Sequence, residues 1–211
     1  MNQKPDIMKR LSLAIIFVCC TLGLAAQNAI RVNYQGASPT ISDFAWAFLS
    51  ASDPDDEDDC VDESFNAIRN AWIQHRKGLP QDEGNVLTID QKNGFVLYES
   101  RYEEHLFRVE MCYWNEADGK HKLFAYNVSC FTNDKYSAGQ FDGLLFYRYD
   151  NATKKMTLCT DVGFDAVCGT DDGAWISYAL PRTGKDITVT LWYESGKKQK
   201  TLKWKGRRFS Y

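Results

Sequence analysis

Residues 105–131 read HLFRVEMCYWNEADGKHKLFAYNVSCF, and this stretch decides the fold. Phe107, Val109, Met111 and Tyr113 recur at every second position, and so do Phe124, Tyr126, Val128 and Cys130. A period of 2 is the signature of a half-buried strand. Asp118-Gly119, between the two runs, is a favoured hairpin turn. A two-residue turn there sets Tyr113 opposite Phe124, Met111 opposite Tyr126, Val109 opposite Val128 and Phe107 opposite Cys130. All of these pairs fall on one face, so register and burial agree. Cys112 then lies on the other face from Cys130, which argues against a bridge between them.

The same period runs outward in both directions. Upstream, Val86–Asp90 and Phe95–Tyr102 flank Asn93-Gly94, a turn that would put Ile89 opposite Tyr98. Downstream, Leu144–Asp150 and Lys155–Val162 flank Asn151-Ala152-Thr153, and Trp175–Leu180 reads as a further strand. Ile187–Glu194 and Lys198–Lys205 flank Ser195-Gly196, which sets Ile187 opposite Trp204 and Val189 opposite Leu202. Before the strands the period is helical. Phe44, Ala45 and Phe48 mark a helix over 41–51, which Asp53-Pro54 ends. Val61, Phe65, Ile68 and Trp72 form one apolar stripe on a helix over 58–77. Acids crowd the start of that second helix, His75, Arg76 and Lys77 sit at its end, and Gly78 with Pro80 stops it. Residues 27–39 read as a loosely structured lead-in. The expectation is an α+β fold: two N-terminal helices, then a curved antiparallel β-meander of eight or more strands, closed as a sheet, sandwich or open barrel. The second helix lays its stripe on one face.

The first 26 residues stand apart. Lys4, Lys9 and Arg10 precede the uncharged run Leu11 to Ala26, which closes on Gly23, Ala25 and Ala26. This is the layout of a secretory signal peptide. The run is 16 residues long, short of the roughly 20 that span a bilayer. Residues 1–26 are therefore expected to be removed, leaving a single domain over 27–211 in the periplasm or outside the cell. Three bases against Asp6 give the leader +2, so cleavage takes the net charge from −3 to −5. Seven cysteines become five: Cys60, Cys112, Cys130, Cys159 and Cys168. An oxidising compartment permits disulfides, and Cys159 with Cys168 bracket a loop of suitable length.

Three features are candidates for chemistry. Asp53, Asp55 and Glu57 open an acidic run of eight carboxylates in eleven residues and have the oxygen chemistry of a calcium loop. Pro54 and the lack of a turn glycine argue for a solvated helix start instead. From Arg182 onward nine bases face two acids, and Lys203, Lys205, Arg207 and Arg208 are the candidate binding residues. With Trp192 and Trp204 interleaved this resembles a nucleic-acid footprint. Export argues against that partner and for an envelope glycan, a peptidoglycan fragment or a protein. Enzyme signatures such as GxSxG, HExxH or a phosphate-cradling glycine loop are absent from the sequence. His75, His105 and His121 are scattered, and no Cys-x-x-Cys pair suggests zinc.

Met111-Cys112-Tyr113-Trp114-Asn115 through Asp118-Gly119-Lys120, and Leu180-Pro181-Arg182 through Lys203-Trp204-Lys205, resemble uncharacterised exported proteins of gut Bacteroidota, as does the leader ending Ala25-Ala26-Gln27. The resemblance implies envelope localisation and supplies no site. Two functions fit the sequence. One is an exported, non-enzymatic binding or interaction module of the periplasm or cell surface. The other is an NTF2-like helix-plus-sheet protein whose pocket binds a small ligand or hosts weak catalysis. A deep aromatic pocket holding a carboxylate or histidine favours the second; a filled core with an exposed aromatic or basic patch favours the first.

Overall fold

The computed structural model describes residues 29–51, 59–138, 142–167, 169–170 and 173–211. The leader 1–26, the acidic triplet Asp53, Asp55 and Glu57, and Cys168 lie outside the described residues.

Among the described residues the fold is α+β, with two helices and a strongly curled antiparallel sheet. Strand β1 (Ile30–Arg31) is followed by α1 (Ile41–Ala51) and α2 (Asp59–Arg76). Then come β2 (Asn85–Asp90), β3 (Phe95–Tyr102), β4 (His105–Asn115), β5 (His121–Thr132), β6 (Lys135–Tyr136), β7 (Gly143–Asp150) and β8 (Lys155–Leu158). The chain closes with β9 (Trp175–Ala179), β10 (Ile187–Tyr193), β11 (Gly196–Trp204) and β12 (Phe209–Ser210). The large sheet runs β1-β8-β7-β5-β4-β3-β2, with β6 paired to β5 off that path. A second, four-stranded sheet runs β12-β11-β10-β9.

Local sequence explains both helix boundaries that it signals. Thr40 caps α1: its carbonyl accepts the Phe44 N–H, and Asp43 reaches back to accept the Thr40 N–H at 2.7 Å. The Thr40 hydroxyl also donates to the Asp43 carboxylate at 2.7 Å, so Asp43 supplies the side-chain half of a capping box. At the end of α2, Gly78 takes φ +66°, the Leu79 N–H donates to the Gln74 carbonyl and the Gly78 N–H donates to the His75 carbonyl. This is the glycine-capped stop that Gly78 and Pro80 lead one to expect.

The large sheet is apolar on both faces. Val109, Met111, Phe124, Tyr126 and Tyr149 point to one side, where Phe44, Phe48, Ile68 and Trp72 of the helices meet them. Phe65 packs on the margin of that cluster. Phe95, Cys112, Trp114, Leu123 and Phe146 point to the other side, where Ile187, Val189, Leu202 and Phe209 of the small sheet cover them. The order is helices, large sheet, small sheet. Strands buried on both faces lose the clean polar alternation of a surface sheet.

Register is right in one hairpin and displaced in two. In β4–β5 the observed pairs are Tyr113–Phe124, Met111–Tyr126, Val109–Val128 and Phe107–Cys130, as the sequence indicates. Between β2 and β3, Ile89 pairs with Val96 instead of Tyr98. The cause is Asp90, whose carboxylate accepts the Asn93 N–H at 3.1 Å and the Asn93 side-chain amide at 2.9 Å, so that residues 91–94 form a longer turn. Between β10 and β11, Ile187 pairs with Leu202 and Tyr193 with Gly196, so the turn is Glu194-Ser195 rather than Ser195-Gly196. Both displacements are by two residues, and an even slip keeps every side chain on its face. A third difference is the lead-in: Ile30–Arg31 is a strand paired with Met156 and Lys155 of β8.

The bond from the Asn93 side-chain amide, then one from Arg182 at 2.9 Å, then the Asn93 N–H, hold the Asp90 carboxyl down at about 2. A depressed carboxyl contributes stability above its unfolded value and loses that contribution as pH falls through its folded value. Asn93→Ala should therefore move the Asp90 titration, followed by carboxyl-carbon NMR, from about 2 toward 3.8. An unmoved midpoint would remove Asn93 as the dominant partner.

Candidate functional site

The basic residues named from sequence do gather at the β11–β12 end, yet half are occupied internally. Lys203 pairs with Asp186 at 2.8 Å and Arg208 with Asp161 at 2.6 Å. Lys205 and Arg207 are exposed, with no ion-pair partner among the described residues. Trp204 is turned inward, 5.7 Å from the Trp114 ring and 4.9 Å from that of Phe209. It takes no part in a surface site.

The small sheet builds a different site on its other face. Strand alternation sends Ile176, Tyr178, Val189 and Leu191 into the inter-sheet core. The residues between them point the opposite way and align in rows: Trp175, Trp192 and Lys197, then Ser177, Thr190 and Gln199. Around the first row is a cleft of about 550 Å³, lined by Tyr136 and Lys135 of β6, by Gly173, and by the β10–β11 turn with Glu194, Ser195 and Gly196. This volume is within the range of small-ligand sites, about 300–1,000 Å³.

Trp192 is held firmly. Its indole N–H donates to Ser177 Oγ at 2.7 Å. Tyr136 stacks on it at 6.2 Å with a 27° interplanar angle, and Phe131 meets it edge-on at 6.3 Å. The Lys197 ammonium lies over the same ring at 5.0 Å, within cation–π range. Trp175, its neighbour in register, is 54% exposed. A large aromatic beside a rigid aromatic, with polar groups at the rim, is a platform for a flat ligand with an apolar face.

Other clusters are engaged within the fold. Glu116, Asp118 and His121 bring potential ligand atoms within 4.8 Å of one another. Glu116 is bonded to Arg148 Nε at 2.7 Å, and Asp118 to His121 Nδ1 at 2.5 Å and to the Lys120 N–H at 2.8 Å. The His121 bond, then the backbone bond from Lys120, holds the Asp118 carboxyl at about 2. These contacts build a hairpin turn. Burial pushes the Cys112 thiol well up, and burial with Asp142 pushes that of Cys130 to about 12, so neither offers a thiolate at neutral pH. Cys159 is buried and has no disulfide partner among the described residues, and its expected partner Cys168 lies outside them. Asn127 is 1% exposed, and its amide donates to Tyr178 O and Glu110.

Sequence reasoning found Trp192 and missed Trp175 and Tyr136 as its companions. Their only linear trace is three aromatics on three strands, with no fixed spacing. No family model, curated protein or solved structure matches this chain.

Proposed function

We propose that the chain is an exported, non-catalytic binding module of the periplasm or cell surface, and that the cleft around Trp175 and Trp192 is where it takes its ligand. The observation that carries this is the exposed Trp175 ring beside an immobilised Trp192. Aromatic anchors held by their own hydrogen bonds lose little entropy on binding. The filling of the space between helices and sheet supports the same reading. An NTF2-like pocket would need room there, and Phe44, Tyr98, Phe124 and Tyr149 fill it with at most 1% exposure each.

Calorimetric titration with envelope glycans and peptidoglycan fragments tests the cleft. Trp175→Ala should weaken any ligand found by about tenfold, near 1.4 kcal/mol, without changing thermal stability. A ligand that binds the variant as well as the parent would move the site elsewhere. Export has its own test. Mass spectrometry of the native protein should find a mature N-terminus near Gln27, and a retained Met1 overturns it.

A further inference from the structure

We propose that the ligand of this cleft is an anionic glycan, with a pyranose ring lying on Trp175 and its carboxylate held by Lys197 and Lys135. The proposal rests on the cleft being the ligand site. A pyranose presents a face of axial C–H groups and a rim of hydroxyls, and the cleft mirrors that division. Its floor is aromatic, from Trp175, Trp192 and Tyr136, and its rim is polar, from Lys135, Glu194, Ser195 and Lys197. Trp175 supplies an exposed ring, and the Trp192 N–H is already bound to Ser177, so Trp192 offers the ligand its ring rather than a donor.

Charge selects the acidic sugar. Lys135 and Lys197 line the cleft against Glu194 as its one acid among the described residues. Two ammonium groups therefore meet one carboxylate among the described lining residues, and Lys197 is held in place by the Trp192 ring. A nucleic-acid strand would also be anionic and would also stack. Alternation argues against it. Lys197 shares the cleft's face, whereas Lys198 and Lys200 project to the other side, where they sit over Tyr193 at 5.5 Å and Tyr211 at 5.7 Å. The lysines thus form no continuous track for successive phosphates, and one carboxylate beside one ring fits better.

The test is calorimetry of the purified protein with tetragalacturonate, maltotetraose and a short oligothymidylate, at low and at high salt. The expected result is tetragalacturonate binding at least about tenfold tighter than maltotetraose at low salt, with the preference shrinking as salt screens it. The double variant K135Q/K197Q should lose that preference while keeping the weak neutral binding, and Trp175→Ala should weaken both sugars. Equal binding of the two sugars, still sensitive to Trp175→Ala, overturns the anionic class and leaves the cleft reading standing. Oligothymidylate binding tighter than either sugar overturns the glycan in favour of nucleic acid. Binding of neither sugar nor oligothymidylate overturns the proposal, and binding that ignores Trp175→Ala overturns the cleft reading with it. Thermal melts of the variants confirm that a lost signal is not lost fold, since all three substituted side chains line the open cleft.

Discussion

Phe44→Ala should lower the free energy of unfolding by about 4 kcal/mol, measured by urea denaturation, the middle of the range for truncating a buried aromatic. Phe44 is 0% exposed and sits in the first turn of α1, where the Thr40 cap fixes its direction. Its ring contacts Tyr113 at 5.2 Å, Phe124 at 5.9 Å and Tyr149 edge-on at 5.1 Å. Those partners belong to β4, β5 and β7, so one side chain ties the helix to three strands. Alanine there removes the transfer free energy of the ring and leaves a cavity whose walls, held by a hydrogen-bonded sheet, cannot collapse. A domain of this size has about 5–15 kcal/mol in total, so the melting temperature should fall by roughly 8–16 °C. Phe44→Leu, which refills most of the space, should cost much less. A loss below about 1 kcal/mol for the alanine variant would mean that α1 does not pack on the sheet as described.

The same residues show which parts of this fold are legible in sequence. The β4–β5 hairpin is readable because its turn and its burial specify one register, and the Asp118 carboxylate accepts the Lys120 and His121 N–H groups to fix the turn. In the β2–β3 turn a side chain decides instead. Asp90 captures Asn93 and Arg182, and Arg182 lies 92 positions away, so no local signal announces it. The second sheet is hidden for a related reason. Cys112, Trp114, Leu123 and Ala125 are apolar, which signals a second buried face, but the residues that cover it lie from Cys159 onward, most of them beyond Ala174. Short strands such as Ile30–Arg31 and Lys135–Tyr136 are too brief to show a period.

The candidate site was less legible than the fold. With Ser195-Gly196 as the turn, Gln199 would face Trp192, and the lysine at the rim would be placed elsewhere. The true turn brings Lys197 opposite Trp192. Trp175 joins the row through β9–β10 pairing across a long connection, and Tyr136 through a strand of the other sheet. The sequence did indicate a basic, tryptophan-bearing C-terminal region. It could not separate inward Trp204 from outward Trp192 by function, because both lie in alternating strands and only the pairing of sheets tells the faces apart.

Glu110→Ala is expected to cost about 3 kcal/mol and Glu110→Gln much less, with the gap between parent and Gln variant depending on pH. Glu110, 8% exposed on β4, faces Asn127 of β5. Its Oε2 accepts the Leu180 N–H at 3.0 Å and the Asn127 amide at 3.1 Å. Asn127 in turn donates to the Tyr178 carbonyl at 2.9 Å. Tyr178 and Leu180 belong to β9 and the residue after it, the edge of the small sheet, so two side chains of the large sheet satisfy the backbone of that edge. Alanine leaves the Leu180 N–H buried without this acceptor, and leaves one Asn127 donor with only a long 3.5 Å contact to Ser129 Oγ, at about 1–3 kcal/mol each. Glutamine keeps the acceptor and removes the charge. Burial raises the Glu110 carboxyl above 4.5, and the bonds from Leu180 and Asn127 with the nearby Arg108 only partly oppose it. A raised carboxyl binds its proton more tightly in the folded chain, so its contribution is complete below the unfolded value and is lost as pH rises through the folded one. The parent should therefore weaken relative to Glu110→Gln as pH rises above 4.5 in urea denaturation. A difference that does not change with pH would mean that Glu110 is ionised throughout and that the two sheets are joined by a charge, not by an acid.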